Sequence, residues 1–304
     1  KRLKITKNGK IISRRSGFNH FNAKQSRKAQ LAGRRGKNFI IKNKQSFLIK
    51  FIEAKNTNRP QGRNIGVSKA RHEIIAITDA GCILDKNWLE EMISPFDNSK
   101  VDIVSGYYKS MDASVFERCV SVYTLVMPDK IDRSSFLPSA RSMAIKKKVW
   151  RQAGGFPENF PFNEDYVFAH KLKRMGKNFY FTQKAIVHWK PRETLKKAFL
   201  MFYYFALGDA QAKIFRFKVT LIYLRYIGGF IFLLLFLTTR FYLILNIFYL
   251  LLISYIVWSI LKNFKYVEKI QALFFLPLLQ FTSDVAVILG TFIGFSYRLK
   301  HGEI

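Results

Sequence analysis

The charge of this chain is divided sharply along its length. Sixteen Lys and Arg residues, and no Asp or Glu, lie in the first 52 residues, whereas all twenty acidic residues lie from Glu53 onward. The net charge is +31, and 51 − 16 = 35 bases against 20 acids leave +15 for the rest of the chain. Like charges at this density oppose compaction unless a polyanion neutralises them. The pattern predicts two parts with different partners.

Residues 1–52 have the composition of a small basic segment that binds nucleic acid. Two short β-prone runs flank Asn8-Gly9, a pair that favours a tight hairpin turn. Basic and aromatic residues follow with little apolar material between them, which favours RNA as the partner. The candidate RNA-binding residues are Arg14, Arg15, His20, Lys24, Arg27, Lys28, Arg34 and Arg35. A solvated basic tail or a membrane-surface anchor is the alternative on composition alone.

The amino-acid sequence of this segment resembles the bacterial large-subunit ribosomal protein L thirty-five. The likeness rests on residues 1–10, on Arg14-Arg15 and on residues 17–24. It implies a small basic α+β segment without catalysis, which binds ribosomal RNA and is located on the ribosome. The chain begins with Lys1 and not with Met, so we expect a fragment.

Residues 53–191 are predicted to form an α/β domain. An apolar run over residues 73–78 ends at Asp79, as expected for a buried parallel strand that delivers a carboxylate at its C-terminal edge. Hydrophobic patterning predicts further strands at 101–107, 142–146, 178–182 and 185–189, and helices at 88–96, 147–153 and 164–175.

Turn and cap residues mark the ends of these predicted helices. Gly154-Gly155 and Gly176 fit C-caps, and Asn163 fits an N-cap before the acidic first turn Glu164-Asp165. Acids in a first turn commonly do no more than complement the helix dipole. A turn after a strand is an equally ordinary place for Asp79. Spacing alone therefore leaves structural roles open for these acids.

The order of these motifs resembles the family-two glycosyltransferases of the A-type fold. The ordered set comprises residues 62–66, the Asp79 turn, residues 154–158, Glu164-Asp165 and His188. The resemblance extends over residues 59–209. It implies an inverting, single-displacement transfer of a sugar from a nucleotide sugar to a glycan or lipid-linked acceptor.

The same resemblance implies roles for the acids of the 164–165 pair. Asp165 matches the catalytic base, which takes the proton of the acceptor hydroxyl as its oxygen attacks the anomeric carbon. Glu164 would orient that base or bind the acceptor. Residues 139–142 resemble the strand on the acceptor side, and a half-buried strand is the plain alternative.

Donor and metal binding are implied for a second group of residues. Asp79 matches the first acid of the D-x-D motif, which contacts the sugar nucleotide and its divalent cation, and Arg63 and Asn64 would lie near the donor phosphates. Gly81 replaces the second acid. Use of Mg²⁺ or Mn²⁺, with Asp79 and His188 as ligands, is therefore left open, because a histidine at a strand end is as often a packed polar residue.

The join between the two parts leaves no room for the usual opening of such a domain. A-type glycosyltransferases begin with a strand-helix-strand unit that binds the nucleotide. Here only nine residues, 53–61, separate the basic segment from Gly62. Nine extended residues span about 30 Å, enough for one strand. We expect an incomplete sheet with an unpaired edge and a chain without transferase activity. The alternatives are a ribosomal protein joined to the rest by a gene-calling or assembly error, and a functional fusion.

The last third of the chain is predicted to be helical and bound to the lipid bilayer. Residues 192–218 have the pattern of an interfacial amphipathic helix, with a core-packing helix as the alternative. Within residues 219–304, apolar runs at 221–239, 241–261 and 270–295 predict about three transmembrane helices.

Charged residues beside these runs predict their orientation and packing. Lys262, Lys265 and Lys269 follow the second run, so the positive-inside rule predicts a cytoplasmic-membrane protein with its catalytic domain in the cytosol. Asp284 lies within the third run. It can face neighbouring helices or a path for a lipid-linked acceptor, and helix packing is the commoner use of such a residue.

Overall fold

The N-terminal part of the chain forms a small sheet of its own. The structure is a computed structural model that describes residues 3–5, 11–13, 37–38, 52–160 and 162–300. The chain divides into two compact units, Lys1–Glu53 and Ala54–Ile304. In the first unit, strands β1 (Leu3–Ile5), β2 (Ile11–Ser13) and β3 (Lys37–Asn38) pair antiparallel in the order β1-β2-β3.

The strands β1 and β2 flank the predicted Asn8-Gly9 turn and pair antiparallel, as a hairpin requires. The turn itself lies outside the described residues. So do the candidate RNA-binding residues Arg14, Arg15, His20, Lys24, Arg27, Lys28, Arg34 and Arg35. RNA binding by this segment stays a prediction.

The second unit combines a mixed five-stranded sheet with nine α-helices in its described residues. Its strands are β4 (Ile74–Ile77), β5 (Cys82–Leu84), β6 (Ile103–Ser110), β7 (Met143–Lys146) and β8 (Phe179–Trp189). Its helices are α1 (Arg59–Lys69), α2 (Trp88–Ile93), α3 (Val115–Thr124), α4 (Lys147–Gln152), α5 (Glu164–Arg174), α6 (Leu195–Gln211), α7 (Phe217–Thr239), α8 (Tyr242–Phe264) and α9 (Ala272–Lys300). The predicted class, an α/β domain followed by a helical C-terminal region, is confirmed.

The strand before Asp79 is an antiparallel edge strand, so the prediction of a parallel strand was wrong. The strand order is β4-β7-β6-β8-β5, and only β6 and β8 pair parallel. An apolar run indicates burial but carries no information on strand direction. Within residues 52–300, no described strand pairs with the outer edge of β4.

The two strands predicted at 178–182 and 185–189 are one strand with an irregularity between them. Ser105 pairs with Phe181, but Tyr107 pairs with Ile186, so β8 carries extra residues at this point. Gly106 lies opposite the irregularity, and a Cβ atom there would meet the Ala185 carbonyl oxygen at 2.7 Å. A glycine is required because the two backbones approach so closely.

Apolar residues pack on both faces of the sheet. One cluster includes Ile103, Ile145 and Phe168, and the other includes Trp88 and Val104. Burial of such side chains stabilises the fold by about 1.5–3 kcal/mol each. The predicted C-cap glycines are confirmed, because Gly154, Gly155 and Gly176 all have positive φ angles.

Three C-terminal helices, α7, α8 and α9, are long and apolar enough to cross a membrane. The shortest have 23 residues, or about 35 Å of helix against a hydrocarbon core of about 30 Å. The number of such helices agrees with the predicted three.

A buried ion pair joins these three helices. The Asp284 side chain is 1% exposed. It accepts hydrogen bonds from the Tyr255 hydroxyl, from Arg225 Nη1 at 3.1 Å and from Gln280 Nε2 at 2.9 Å. Arg225 lies on α7, Tyr255 on α8 and Asp284 on α9. Of the two uses weighed for Asp284, the structure shows contacts between neighbouring helices.

Small residues let α6 pack closely along α9. A Cβ atom at Gly294 would meet the Ala210 Cβ atom at 2.7 Å and the Leu207 carbonyl oxygen at 2.8 Å, and one at Gly290 would meet the backbone of Tyr203. The two glycines are four residues apart, the spacing of a small-residue helix interface. Helix α6 is therefore a packed helix, which was the alternative to an interfacial one, and its position at a bilayer stays a prediction.

We expect Gly294→Ala to destabilise the protein, because the new methyl group overlaps Ala210 and Leu207. Overpacking of this kind costs about 1–3 kcal/mol. Gly228→Ala on α7 is the matched control, since a Cβ atom there has nothing within 4 Å and alanine favours a helix by up to about 1 kcal/mol. The measurement is thermal unfolding of the full chain in detergent. Equal melting temperatures for the two variants would contradict the close packing of α6 on α9.

Candidate functional site

A cavity of about 840 Å³ lies between the sheet and the C-terminal helices. Arg63, Asp79, Glu164 and Asp165 line one part of it. The structure thus brings together four residues that the sequence singled out at separate places. The opposite walls come from α6, α7 and α9 and include Phe202, Phe205, Ala206, Val219, Tyr223 and Val287. The cavity is therefore polar at the sheet and largely apolar along the helices.

Arg63 on α1 bridges two of the predicted acids. Its Nη2 atom lies 2.7 Å from Asp79 Oδ1, and its Nη1 atom donates to Glu164 Oε1. Arg59 adds a longer contact of 3.4 Å to Glu164. Burial lowers the pKa of Arg63, but the charges of Asp79, Glu164 and Asp165 outweigh it, so this pKa lies above its ordinary value. The arginine stays charged and holds the Asp79 loop against the start of α5.

Glu164 and Asp165 face different surroundings although they are adjacent. The Glu164 side chain is 1% exposed and bound to arginines. Asp165 accepts one backbone N–H on each oxygen, from Ala140 at 2.9 Å and from Tyr166 at 2.9 Å, and it lines the cavity. Asp165 is oriented with its second lone pairs available, so it is the better placed of the two to accept a proton.

The Asn64 side chain binds the loop at Phe156 and Glu158 and does not face the cavity. Its Oδ1 atom accepts from the Phe156 N–H at 2.8 Å, while its Nδ2 atom donates to the Phe156 carbonyl at 2.9 Å and to Glu158 Oε1 at 2.9 Å. A Cβ atom at Gly155 would meet Asn64 Oδ1 at 2.8 Å. Neither Asn64 nor Gly81 lines the cavity. Donor binding by these two residues stays a prediction.

His188 contacts Asp85 rather than Asp79. Its Nε2 atom lies 2.7 Å from Asp85 Oδ1. Within residues 52–300, the described side chains form no group of three or more His, Cys, Asp or Glu that could hold a metal ion. Metal binding by Asp79 and His188 together stays a prediction. Asp79 has one carboxylate oxygen, Oδ2, that accepts no hydrogen bond from the described residues.

Asn163 is the N-cap residue of α5, as predicted, but its side chain makes no capping hydrogen bond. Its φ angle is 55°, and its Nδ2 atom donates to the Phe205 carbonyl at 2.7 Å and to Asp209 Oδ1 at 3.0 Å. The amide is drawn toward α6 because the carboxylate of Asp209, which is 9% exposed, needs donors there.

Sequence reasoning missed two residues that complete this corner of the cavity. Arg216 Nε lies 2.5 Å from Asp209 Oδ2, and the guanidinium lies 4.5 Å from the centre of the Tyr166 ring. Asp209 and Arg216 connect the end of α6 to the first turn of α5. An acid and an arginine seven residues apart match no spacing motif, so this pair could not be predicted from the sequence.

The Cys82 thiol lies beside the Asp79 loop, and its pKa depends on the charge of Asp79. Burial raises the pKa of Cys82 to about 11, and the charge of Asp79 adds to the rise. In a Cys119→Ser background we expect iodoacetamide to alkylate Cys82 at pH 8 roughly a hundredfold more slowly than a free thiol, because the thiolate is the reactive form. The rate should rise about tenfold per pH unit up to about pH 11.

Asp79→Asn should speed this alkylation at a fixed pH by lowering the pKa of Cys82. The exposed Asp97→Asn is the matched control and should leave the rate unchanged. The readout is the alkylated fraction against time by mass spectrometry. Alkylation at the rate of a free thiol at pH 8 would contradict the raised pKa of the half-buried Cys82.

Comparison with solved structures returns glycosyltransferases with low overall similarity. A mannosyltransferase from Pyrobaculum calidifontis, solved with GDP-Man and Mn²⁺, is 16% identical, with a TM-score of 0.39 over 51% of this chain and 42% of that one. TarS from S. aureus, solved with UDP-GlcNAc, is 14% identical, with a TM-score of 0.36 over 63% of this chain and 59% of that one. TM-scores this low carry no argument about donor or metal.

Sequence comparisons identify the family. Glycosyltransferase AglE of Haloferax volcanii is 23% identical over 154 residues, which are 49% of this chain and 50% of that protein. The chain thus spans about half the length of this curated relative. The model of glycosyl transferase family 21 matches residues 64–286. The motifs had resembled family two, so the prediction of a glycosyltransferase is confirmed while the family number differs. The chain belongs to glycosyl transferase family 21.

Proposed function

We propose that this chain is a membrane-anchored, inverting glycosyltransferase that moves a sugar from a nucleotide sugar to a hydroxyl group of a glycan or lipid-linked acceptor. The cavity carries the proposal, because it places Asp79 and Asp165 at one end and apolar helix walls at the other. Membership of glycosyl transferase family 21 supports the reaction class.

Asp165 is proposed as the general base. Its carboxylate accepts the proton of the acceptor hydroxyl while the hydroxyl oxygen forms a bond to the anomeric carbon. The bond from that carbon to the donor phosphate oxygen breaks in the same step, and the nucleoside diphosphate leaves with the electron pair. The backbone N–H groups of Ala140 and Tyr166 fix the orientation of the carboxylate before the acceptor arrives.

Arg63 and Glu164 are proposed to position these groups rather than to react. Arg63 already binds both Asp79 and Glu164. Asp79 could contact the donor through its second oxygen. A Mg²⁺ or Mn²⁺ ion is proposed only as a companion of the donor, since magnesium is often held by one carboxylate together with substrate phosphates.

The apolar walls favour an acceptor with a lipid part. Cavity-lining residues on α7 and α9, such as Tyr223 and Val287, belong to helices that are apolar enough for a bilayer. Lys265, after α8, lies 2.5 Å from Asp129 of the α/β domain. This contact supports placing the basic loop and the catalytic domain on one side of the membrane, which the positive-inside rule makes the cytosol.

Two finer predictions concern the chain as a whole. Residues 1–52 precede the match to the family, so ribosomal RNA binding there rests on composition and resemblance. Inactivity rests on the nine residues 53–61 and on the outer edge of β4, where no described strand is paired. Inactivity is the competing outcome in the assay that tests the proposed reaction.

We expect Asp165→Asn to lower sugar transfer at least a hundredfold, because general-base catalysis contributes about 10²–10⁴-fold. Asp97→Asn, which changes an exposed carboxylate in the same way, should keep the activity of the unchanged chain. The assay follows labelled sugar from nucleotide sugars into lipid-linked and glycan acceptors, with the full chain in membranes.

Transfer that survives Asp165→Asn would contradict the role of Asp165. An unchanged chain that transfers no sugar from any common nucleotide sugar would contradict the proposed activity and favour the predicted inactivity.

A further inference from the structure

One arginine that lines the cavity forms no ion pair with a carboxylate of the described residues. Arg63 binds Asp79 and Glu164, and Arg216 binds Asp209. Arg59 has its longer contact with Glu164. Arg141 also lines the cavity, and no carboxylate in residues 52–160 or 162–300 forms an ion pair with it. Its charge is therefore available to a ligand.

Two aromatic rings fix the position of the Arg141 guanidinium. Its Cζ atom lies 4.8 Å from the centre of the Trp189 ring and 5.5 Å from that of Tyr108. Such contacts hold the flat face of a guanidinium by cation–π attraction. The N–H groups, which point outward in the plane of the guanidinium, are left to donate hydrogen bonds.

The backbone around Arg141 is tied to both candidate acids. The Arg141 carbonyl accepts from Thr78 Oγ1 at 2.8 Å, and Thr78 immediately precedes Asp79. Ala140, the residue before Arg141, donates its N–H to Asp165. The turn over residues 139–142 closes with a Ser142 N–H bond to the Ser139 carbonyl at 3.0 Å. Arg141 thus belongs to the short segment that lies between the donor acid and the base.

The charge of Arg141 acts on a second arginine, Arg192. Burial lowers the pKa of Arg192, and the charges of Arg141 and Arg59 lower it further. The charge of Glu193 opposes this effect, and among these three arginines only Arg59 forms an ion pair with a carboxylate of the described residues. An anion bound among them would relieve this repulsion.

We propose that Arg141 forms a phosphate-binding subsite of the cavity. The guanidinium fork matches the geometry of a phosphate group, and the aromatic rings hold it in place before the ligand binds. The ligand class is a phosphate ester, either the diphosphate of a nucleotide sugar or the phosphate of a lipid-linked acceptor. The inference rests on the proposed function for the identity of that ligand, and its test needs no turnover.

The test is the binding of inorganic pyrophosphate to the full chain in detergent, measured by isothermal titration calorimetry. We expect Arg141→Gln to weaken binding at least tenfold, because the charged donor is lost. Arg141→Lys keeps the charge without the fork and should weaken binding less. Arg151→Gln, an exposed arginine outside the cavity, is the matched control and should bind within about twofold of the unchanged chain.

Failure of the unchanged chain to bind pyrophosphate would overturn the subsite. Equal binding by Arg141→Gln, with its folding checked by thermal unfolding, would also overturn it. Displacement of pyrophosphate by a nucleoside diphosphate supports the donor as the source of the phosphate, and displacement by dodecyl phosphate supports the acceptor. Displacement by neither would contradict a phosphate ester ligand. Arg141-dependent pyrophosphate binding in a chain without sugar transfer would leave the subsite intact and count against the proposed function alone.

Discussion

The ion pairs of Arg63 are the interaction on which the candidate site depends. Asp79 follows an edge strand and Glu164 begins a helix 85 positions later, so nothing in the local backbone brings them together. The Arg63 side chain is 12% exposed and that of Glu164 is 1% exposed. A buried carboxylate without its cation costs several kcal/mol, so α1, the Asp79 loop and α5 are held together by one charged side chain.

The helices that are apolar enough for a membrane also build the cavity. Helix α6 packs on α9 through Gly290 and Gly294, and the same C-terminal half of α6 places Asp209 beside Asn163 at the start of α5. Because the same helix contacts both regions, the position of the helical region and the orientation of Asp165 are connected. The position of α6 therefore affects both the acidic residues at the sheet and the apolar wall of the cavity.

Sequence patterns predicted the residues of the site better than their contacts. The C-cap glycines and three long apolar helices are readable from local periodicity and turn chemistry, whereas Asp79, Glu164 and Asp165 were singled out by the resemblance in motif order. The direction of β4 could not be predicted, because a buried apolar run is compatible with either strand direction. The partner of Asn163 could not be predicted either, since Asp209 lies 46 residues away. The sequence predicts Arg141 only as part of a strand. Its cation–π contacts with Tyr108 and Trp189 could not be predicted, because those residues lie far from it in the sequence.

The most direct measurement of the central claim is the coupling free energy between Arg63 and Glu164. It is obtained from the unfolding free energies of Arg63→Met, Glu164→Gln and the double variant of the full chain in detergent. Each single change is expected to cost about 3 kcal/mol, and the double variant little more, which gives a coupling of about 2 kcal/mol or more. The surface pair Arg118 and Asp112, 2.8 Å apart, should give less than about 1 kcal/mol. Additive effects at Arg63 and Glu164 would contradict the account.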